Sequence, residues 1–246
     1  MTRLPHLRVI VDDMPNSGAW NMAVDEVLLT SAIETGEATL RFYQWSEPTV
    51  SLGYFQKEDE VLRERRLAQL PWVRRLSGGG TLVHDHELTY SLALPSTQRL
   101  VERPMELYGL VHRAFVEEFQ RRGIELKLRG STLRRSDEPL LCFAREDEHD
   151  LVFLGHKVLG SAQRRRRGAM LQHGGLLLQA SSVTPELCGL ADLFPTLELT
   201  NLATDLSRVM ARSLAERSET GSLTPDEIQA VRSLAEQGRR LMHGKT

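Results

Sequence analysis

Cysteine is scarce in this sequence, with only Cys142 and Cys188 among 246 residues. Two cysteines exclude a disulfide framework of the kind that holds small secreted domains together. Apolar runs are also short, and none approaches the length of a membrane span. The segment before Asp12 lacks the apolar core of a signal peptide. We therefore expect a cytoplasmic protein with reduced thiols and no membrane partner.

An excess of charge of one sign is missing too. Lys and Arg number 31 and Asp and Glu number 33, which gives a formal net charge of −2. The whole-chain charge therefore indicates no nucleic-acid partner. The distribution is uneven, however, because basic residues outnumber acidic ones between positions 121 and 167. Such a patch indicates an acidic partner, although a solvated face explains it equally well.

Several common motifs are absent as well. Neither the phosphate-loop spacing G-x-x-x-x-G-K-[ST] nor the dinucleotide spacing G-x-G-x-x-G occurs. The nucleophile elbow G-x-S-x-G of the α/β-hydrolases is also missing. The eight histidines lack the paired spacing with cysteines or carboxylates that metal sites use, so we expect no metal site.

What the sequence does contain is a mixture of strand and helix patterns. Leu7–Val11, Thr39–Trp45 and Leu88–Leu94 are short apolar or alternating segments of the kind that strands have. Apolar residues at three- and four-residue spacing predict helices that begin near Ala19 and Leu107. Because 41% of the residues are hydrophobic, the chain can bury one sizeable core. We predict an α+β (mixed α/β) domain.

The chain changes character after Pro195. Leu202–Arg217 and Pro225–Leu241 predict two helices, and Thr224 with Glu227 forms a capping box for the second. We therefore divide the sequence into a catalytic domain over residues 1–200 and a helical extension over residues 201–246, packed on the same domain.

The most unusual stretch is Gly78-Gly79-Gly80, which lies between two strand-like segments, 71–75 and 81–83. Glycine adopts positive φ and has no Cβ to block a ligand beside the backbone. Three successive N–H groups can point at a carbonyl, carboxylate or phosphate. A flexible hairpin turn explains three glycines equally well.

Four further places hold reactive or titratable side chains: His84 beside Asp85, Cys142, Lys157 ahead of Gly160-Ser161-Ala162, and His173. Taken alone, each has an ordinary explanation. A lone cysteine is most often a small core residue, a hairpin lysine is most often solvated, and either histidine can pack or make surface hydrogen bonds.

Taken together, these segments resemble the lipoate–protein ligase and octanoyltransferase superfamily. Residues 74–85, RRLSGGGTLVHD, are similar to its acyl-binding motif, and residues 155–163, GHKVLGSAQ, to its motif G-[RK]-K-[IV]-x-G-S-A. Residues 172–174, QHG, match a third motif, and the likeness runs in order from about Leu7 to about Pro195. Cys142 precedes Lys157 by fifteen residues, and residues 84–91 match H-D-x-E-L-T-Y-S. The branch that the chain resembles is therefore the cysteine-dependent octanoyltransferases.

The resemblance implies a biotin/lipoate protein ligase-like catalytic domain with mixed β-sheets flanked by helices. It implies that Cys142 holds an acyl group as a thioester and that Lys157 lowers the pKa of the thiol. Backbone N–H groups near the triple glycine or near Ser161 would bind the oxyanion. The residues expected to bind the acyl substrate are Arg75, Ser77, Gly78, Gly79, Gly80, His84, Gly160, Ser161, Ala162 and His173.

The same resemblance implies the partners and the cofactors. The donor would be octanoyl-acyl carrier protein, the acceptor a lysine of a lipoyl-type domain such as glycine cleavage H protein, and no cofactor would be needed. We expect a monomer. Both partner proteins are typically acidic in these families, so arginines would form the docking sites: Arg134, Arg135, Arg164, Arg165, Arg166 and Arg167.

Three alternatives remain open at this point. An ATP-dependent lipoate–protein ligase would use ATP and Mg, with Lys157 touching the acyl-adenylate and Cys142 as a core residue. An octanoyl amidotransferase would move the acyl group between lipoyl-domain proteins. A non-catalytic relative would only bind acylated or biotinyl domains. Long-form ligases have a separate C-terminal domain, for which the residues after Pro195 are too few.

Overall fold

The computed structural model describes residues 3–130 and 140–243 of the chain. Within these ranges the strands form one sheet of eight and one sheet of three. In chain order they are β1 (Leu4–Val11), β2 (Thr39–Tyr43), β3 (Thr49–Leu52), β4 (Trp72–Arg74), β5 (Leu82–His84), β6 (Glu87–Leu94), β7 (Lys127–Leu128), β8 (Leu151–Phe153), β9 (His156–Arg166), β10 (Ala169–Leu177) and β11 (Ala215–Thr220).

Both sheets are mixed, as the sequence predicts. The larger one has the order β11-β1-β2-β6-β10-β9-β8-β7. β1 pairs in parallel with β2 and with β11, and the remaining neighbours are antiparallel. The smaller sheet has the order β4-β3-β5 and supports the chain on either side of the triple glycine.

Helices cover both faces of the larger sheet. They are α1 (Gly18–Glu34), α2 (Glu58–Leu62), α3 (Arg99–Glu102), α4 (Pro104–Arg121), α5 (Leu190–Leu193), α6 (Leu202–Leu214) and α7 (Pro225–His243). The apolar stripes of α4 and α6 pack on one face and form the main core. Those of α1 and α7 pack on the other face in a second buried cluster. No helix in the described ranges is long and apolar enough to cross a membrane.

Local signals set several helix ends. Ser17 caps α1 by accepting a hydrogen bond from the Trp20 N–H, and Pro104 occupies the first turn of α4. The capping box predicted before α7 is confirmed. The Thr224 N–H donates to Glu227 Oε2 at 2.9 Å, and the Glu227 N–H donates to Thr224 Oγ1 at 3.2 Å.

One predicted element is wrong in its extent. The helix predicted for Leu202–Arg217 ends at Leu214, and the next residues form β11 at the edge of the larger sheet. β11 has almost no buried side chains, so its sequence lacks the apolar alternation that reveals most strands. Arginines 164 to 166 belong to β9, which ends at Arg166. The division of the chain at residue 200 stays a prediction.

Candidate functional site

A cavity of about 370 Å³ lies between the two sheets. It brings together segments that are far apart in sequence, because β9 and β10 form one wall and the loop after β4 forms another. The lining includes most of the site residues predicted from sequence, namely Arg75, Gly78, Gly79, Gly80, His84, Cys142, Lys157, Gly160, Ser161, Ala162 and His173. Ser77 is fully buried behind this lining.

Cys142 is held against the triple glycine by backbone hydrogen bonds. It begins a 3₁₀ turn, Cys142–Ala144, and its N–H donates to the Thr81 carbonyl at 2.7 Å. In return the Thr81 N–H donates to the Leu140 carbonyl at 3.1 Å. Cys142 Sγ would lie 3.7 Å from a Cβ added to Gly79, whose φ is +94°. Glycine at this position therefore satisfies the backbone conformation and leaves the space beside the thiol open.

Lys157 approaches Cys142 from β9. Its Nζ donates to Asp150 Oδ1 at 2.9 Å and to the carbonyls of Cys142 and Arg145, both at 3.3 Å. The Lys157 and Asp150 side chains are only 6% and 4% exposed, so this is a buried ion pair. Burial raises the pKa of Asp150, and the adjacent ammonium opposes that rise. A Cβ on Gly160 would collide with the Lys157 chain, so this glycine makes room for the lysine.

Arg75 holds the triple-glycine loop in place by hydrogen bonds to its carbonyl groups. Its Nη2 donates to the carbonyls of Gly78 and Gly80 at 2.8 and 2.6 Å, and its Nη1 donates to the Ser51 carbonyl and hydroxyl. Burial lowers its pKa to about 10, while the neighbouring Cys142 thiol acts in the opposite direction. Arg75 thus stays charged at neutral pH and lies beside the cysteine.

The hydrogen bond from Arg75 to the Gly78 carbonyl also sets the direction of the following peptide N–H. In a trans peptide the C=O and the following N–H point in opposite directions. Since Arg75 binds the Gly78 carbonyl, the Gly79 N–H points away from Arg75. Within the described residues, the N–H groups of Gly79 and Gly80 donate to no acceptor. Both glycines line the cavity, so these N–H groups are candidates to bind an oxyanion.

The two predicted histidines are both buried in hydrogen-bond networks. His173 Nδ1 lies 3.0 Å from Asp25 Oδ2, and its Nε2 lies 2.5 Å from Ser77 Oγ. This series of hydrogen bonds joins α1, β10 and the triple-glycine loop. His84 stacks on Trp45 with ring centroids 3.9 Å apart. The His84 nitrogens lie 2.8 Å from Glu87 and 2.8 Å from Ser51 Oγ.

The Ser161 hydroxyl belongs to a directed chain of hydrogen bonds. His112 Nδ1 faces the His149 carbonyl at 2.6 Å and must therefore donate, and burial lowers the pKa of His112 to about 4. The neutral ring then accepts at Nε2, which lies 2.8 Å from Ser161 Oγ. Ser161 consequently donates to His112 and accepts from Tyr90, so its hydroxyl proton is not available to a ligand.

The predicted docking arginines differ in their surroundings. Arg164 stacks over the Tyr54 ring at 4.3 Å, the Arg165 guanidinium donates to the Val101 carbonyl, and Arg166 pairs with Glu26 at 2.9 Å. Arg167 is exposed in the turn after β9. Arg134 and Arg135 lie outside the described residues.

Sequence reasoning missed several polar residues that complete the site. Asp150 pairs with Lys157, Asp25 orients His173, and His112 fixes Ser161. Asp25 lies within the apolar stripe of α1, and a carboxylate at a core-facing position is a signal that could have been read. Asp150 and His112 had no such signal, because their partners come from other elements.

Comparison with known proteins agrees with this geometry. Residues 17–194 match the family of lipoyl protein ligase A/B catalytic domains. An octanoyltransferase LipM of Clostridioides difficile is 31% identical and covers 96% of this chain and 97% of its own length. An octanoyltransferase LipM of Carboxydothermus hydrogenoformans is 38% identical over 69% of this chain and 64% of its own length.

The fold is also that of solved lipoate ligases. A crystal structure of lipoate-protein ligase A bound with ATP superimposes with a TM-score of 0.69 at 20% identity, over 95% of both chains. The chain belongs to the lipoyl protein ligase A/B catalytic domain family. Among its relatives, the two matched in sequence above are octanoyltransferases, which are acyltransferases. The resemblance inferred from the motifs is thereby confirmed.

Proposed function

We propose that this protein is an octanoyltransferase that moves an octanoyl group from acyl carrier protein, through a thioester on Cys142, to the lysine of a lipoyl-type domain. One observation supports this most directly. A cysteine, a buried lysine and two glycines with unpaired backbone N–H groups line one cavity. The names of the relatives support the choice of an octanoyl group, and the arrangement of these residues supports the roles proposed below.

In the first step the Cys142 thiolate attacks the carbonyl carbon of the donor thioester. A bond forms between Sγ and this carbon, and the negative charge develops on the carbonyl oxygen. The unpaired N–H groups of Gly79 and Gly80 stabilise that oxyanion. The bond to the carrier thiol then breaks, and the carrier leaves as a thiolate that takes up a proton.

In the second step the neutral ε-amine of the acceptor lysine attacks the octanoyl-Cys142 thioester. A C–N bond forms, the C–S bond breaks, and the amine proton goes to the departing thiolate. Since a thioester is more reactive than an amide, the exchange runs without ATP or a metal. An ATP-dependent ligase would instead have to activate a free acid.

Two buried cations lie close to Cys142 in this scheme. Lys157 donates a hydrogen bond to the Cys142 carbonyl, and Arg75 lies beside the cysteine. A positive charge that is withdrawn from solvent acts strongly on a negative charge that develops nearby during the reaction.

We further assign the arginines near the β9–β10 turn, Arg164 to Arg167, to the docking of acidic partner proteins. The donor would be an acyl carrier protein and the acceptor a protein such as glycine cleavage H protein. Contacts between exposed charges weaken with salt. Transfer from the carrier is therefore expected to slow as ionic strength rises.

The test is intact-mass analysis after mixing the protein with octanoyl-acyl carrier protein in the absence of ATP. We expect one octanoyl adduct that hydroxylamine removes. The Cys142→Ala variant should give none, whereas Cys188→Ala, the matched change at the other free cysteine, should react like the unmodified protein.

A second arm adds a lipoyl domain, with either octanoyl carrier or free octanoate plus ATP. Acylation of the domain from the carrier alone supports the transferase. Acylation that requires free acid and ATP, and that survives Cys142→Ala, would establish a ligase and overturn the proposal.

A further inference from the structure

A second cavity lies near the site, and one side chain lines both cavities. This second cavity has a volume of about 400 Å³ and is bounded by α1, β4 and α7. Met22 of α1 lines it and also lines the cavity that contains Cys142. The Met22 side chain packs against a small cluster formed by Tyr43, Trp45 and Val73.

Most of this wall is fixed by hydrogen bonds. The Tyr43 hydroxyl donates to Asp25 at 3.2 Å, and Trp45 Nε1 donates to Thr89 at 2.8 Å. Met22 has no comparable anchor, because a thioether is at best a weak acceptor. Its unbranched side chain adapts readily to its surroundings. The wall is therefore weakest, and most easily changed, at Met22.

The two sides of the wall suit an alkyl chain. On the near side, Tyr43 and Trp45 line the cavity that holds Cys142. On the far side most of the lining side chains are apolar, namely Ala19, Ala23, Trp72, Val73, Leu76 and Leu234. The polar ones there are Glu26, Glu58, Arg74 and Gln237. Methylene groups that reached this second cavity would leave water.

We propose that Met22 sets the upper limit on acyl chain length. This inference rests on the proposed octanoyltransferase function. The thioester carbonyl sits at Cys142, the alkyl tail runs to Met22, and the side chain of Met22 closes the space beyond. Truncation of Met22 joins the two cavities and admits straight-chain acyl groups longer than octanoyl. Each extra buried methylene then favours the longer chain by about fourfold.

The experiment is a competition between octanoyl and dodecanoyl carrier proteins, read as the ratio of the two adducts on Cys142 by intact mass. Met22→Ala should raise the dodecanoyl-to-octanoyl ratio by at least about tenfold. Met22→Leu, which conserves volume, should leave the ratio near that of the unmodified protein. Met22→Phe, which keeps the wall filled, should lower it. An unchanged ratio in folded Met22→Ala would overturn the proposal.

A bulky substitution on the far side of the second cavity makes the test specific. Leu234 lines the second cavity and is not part of the first. In the background of Met22→Ala, Leu234→Trp should return the ratio to its original value. A ratio that stayed high would mean that the longer chain takes another route, and would contradict the proposal.

Calorimetric binding of free octanoate and dodecanoate separates this inference from the proposed function. If no variant forms a thioester, the octanoyltransferase proposal fails, yet the acids still report on the cavity. Met22→Ala should then tighten dodecanoate binding relative to octanoate. Equal changes for both acids would dismiss Met22 as the limit on chain length.

Discussion

Cys142 and Lys157 face the same cavity from supports of different kinds. Lys157 lies on an eleven-residue strand inside the eight-stranded sheet, and its ammonium is fixed by a buried carboxylate. Cys142 lies on a single 3₁₀ turn tied to the neighbouring loop by a short backbone bridge. We call Lys157 and its surroundings, with Asp150, Ser161 and His112, the lysine wall; it depends on side-chain charges and hydrogen bonds. We call the Cys142 turn and the triple-glycine loop the cysteine wall; it depends on backbone contacts and on Arg75.

The difference matters for the chemistry. The lysine wall fixes a charge in a place that water reaches poorly, where a cation acts strongly. The cysteine wall places a nucleophile on a short segment whose side chain contributes little to the core. We therefore expect substitution of Lys157 to cost much more stability than substitution of Cys142, and substitution of Arg75 to cost both stability and activity.

The largest effect on stability is expected for Lys157→Met. It leaves the buried Asp150 carboxylate without its partner, and breaking such a pair costs about 3–5 kcal/mol. Urea unfolding would measure the loss, and Lys157→Met with Asp150→Asn should recover much of it. Cys142→Ala should cost far less. Equal losses for Lys157→Met and Cys142→Ala would contradict the contrast between the two walls.

Arg75→Met should produce the next largest effect on stability. It leaves the carbonyls of Ser51, Gly78 and Gly80 without their buried donor, which we expect to cost about 2–3 kcal/mol. Because the loop then loses the orientation of its N–H groups, thioester formation should slow by about a hundredfold. Stopped-flow or quenched mass analysis would measure this rate. Arg65→Met, at an exposed arginine, is the control, and an equal slowing there would refute the role of Arg75.

The smallest effect is a pH dependence that arises from His112 on the lysine wall. The folded pKa of about 4 lies below the usual value of about 6.5, so between these values only the unfolded chain binds the proton. The free energy of unfolding should therefore fall as pH falls, by about 2 kcal/mol from pH 7 to pH 5. Urea unfolding of His112→Gln should lose this dependence, whereas His6→Gln, at an exposed histidine, should keep it. Identical pH profiles for both variants would exclude His112 as the source.

The sequence predicted the parts of the site that consecutive residues encode. The triple glycine, the lysine motif and the histidine of the third motif are each recognisable locally, and the structure brings them to one cavity. Asp25 was missed although its place among the apolar residues of α1 was a local signal. Asp150 and His112 escaped prediction because their partners lie on other elements, and the Asp150 carboxylate has no local pattern that distinguishes it from a surface one.

The elements of the fold divide in the same way into those that a local sequence pattern reveals and those that it does not. The helices α1 and α4 were predictable because apolar residues recur at three- and four-residue spacing, and α7 because a capping box precedes it. β11 was not, because its residues are mostly polar and exposed. It is held in place by pairing with β1, which the sequence separates from it by most of the chain.

That pairing has a consequence for how the molecule is made. β1 is synthesised long before β11, and the pairing of the two strands joins Leu4 to Ala215 and Val9 to Thr220. Until then one edge of β1 stays open, and open strand edges invite pairing with other chains. The Arg8–Glu227 bond also joins early and late segments. Contacts of such long sequence separation form slowly, so closure of this edge is expected to be a late event that requires both β11 and α7.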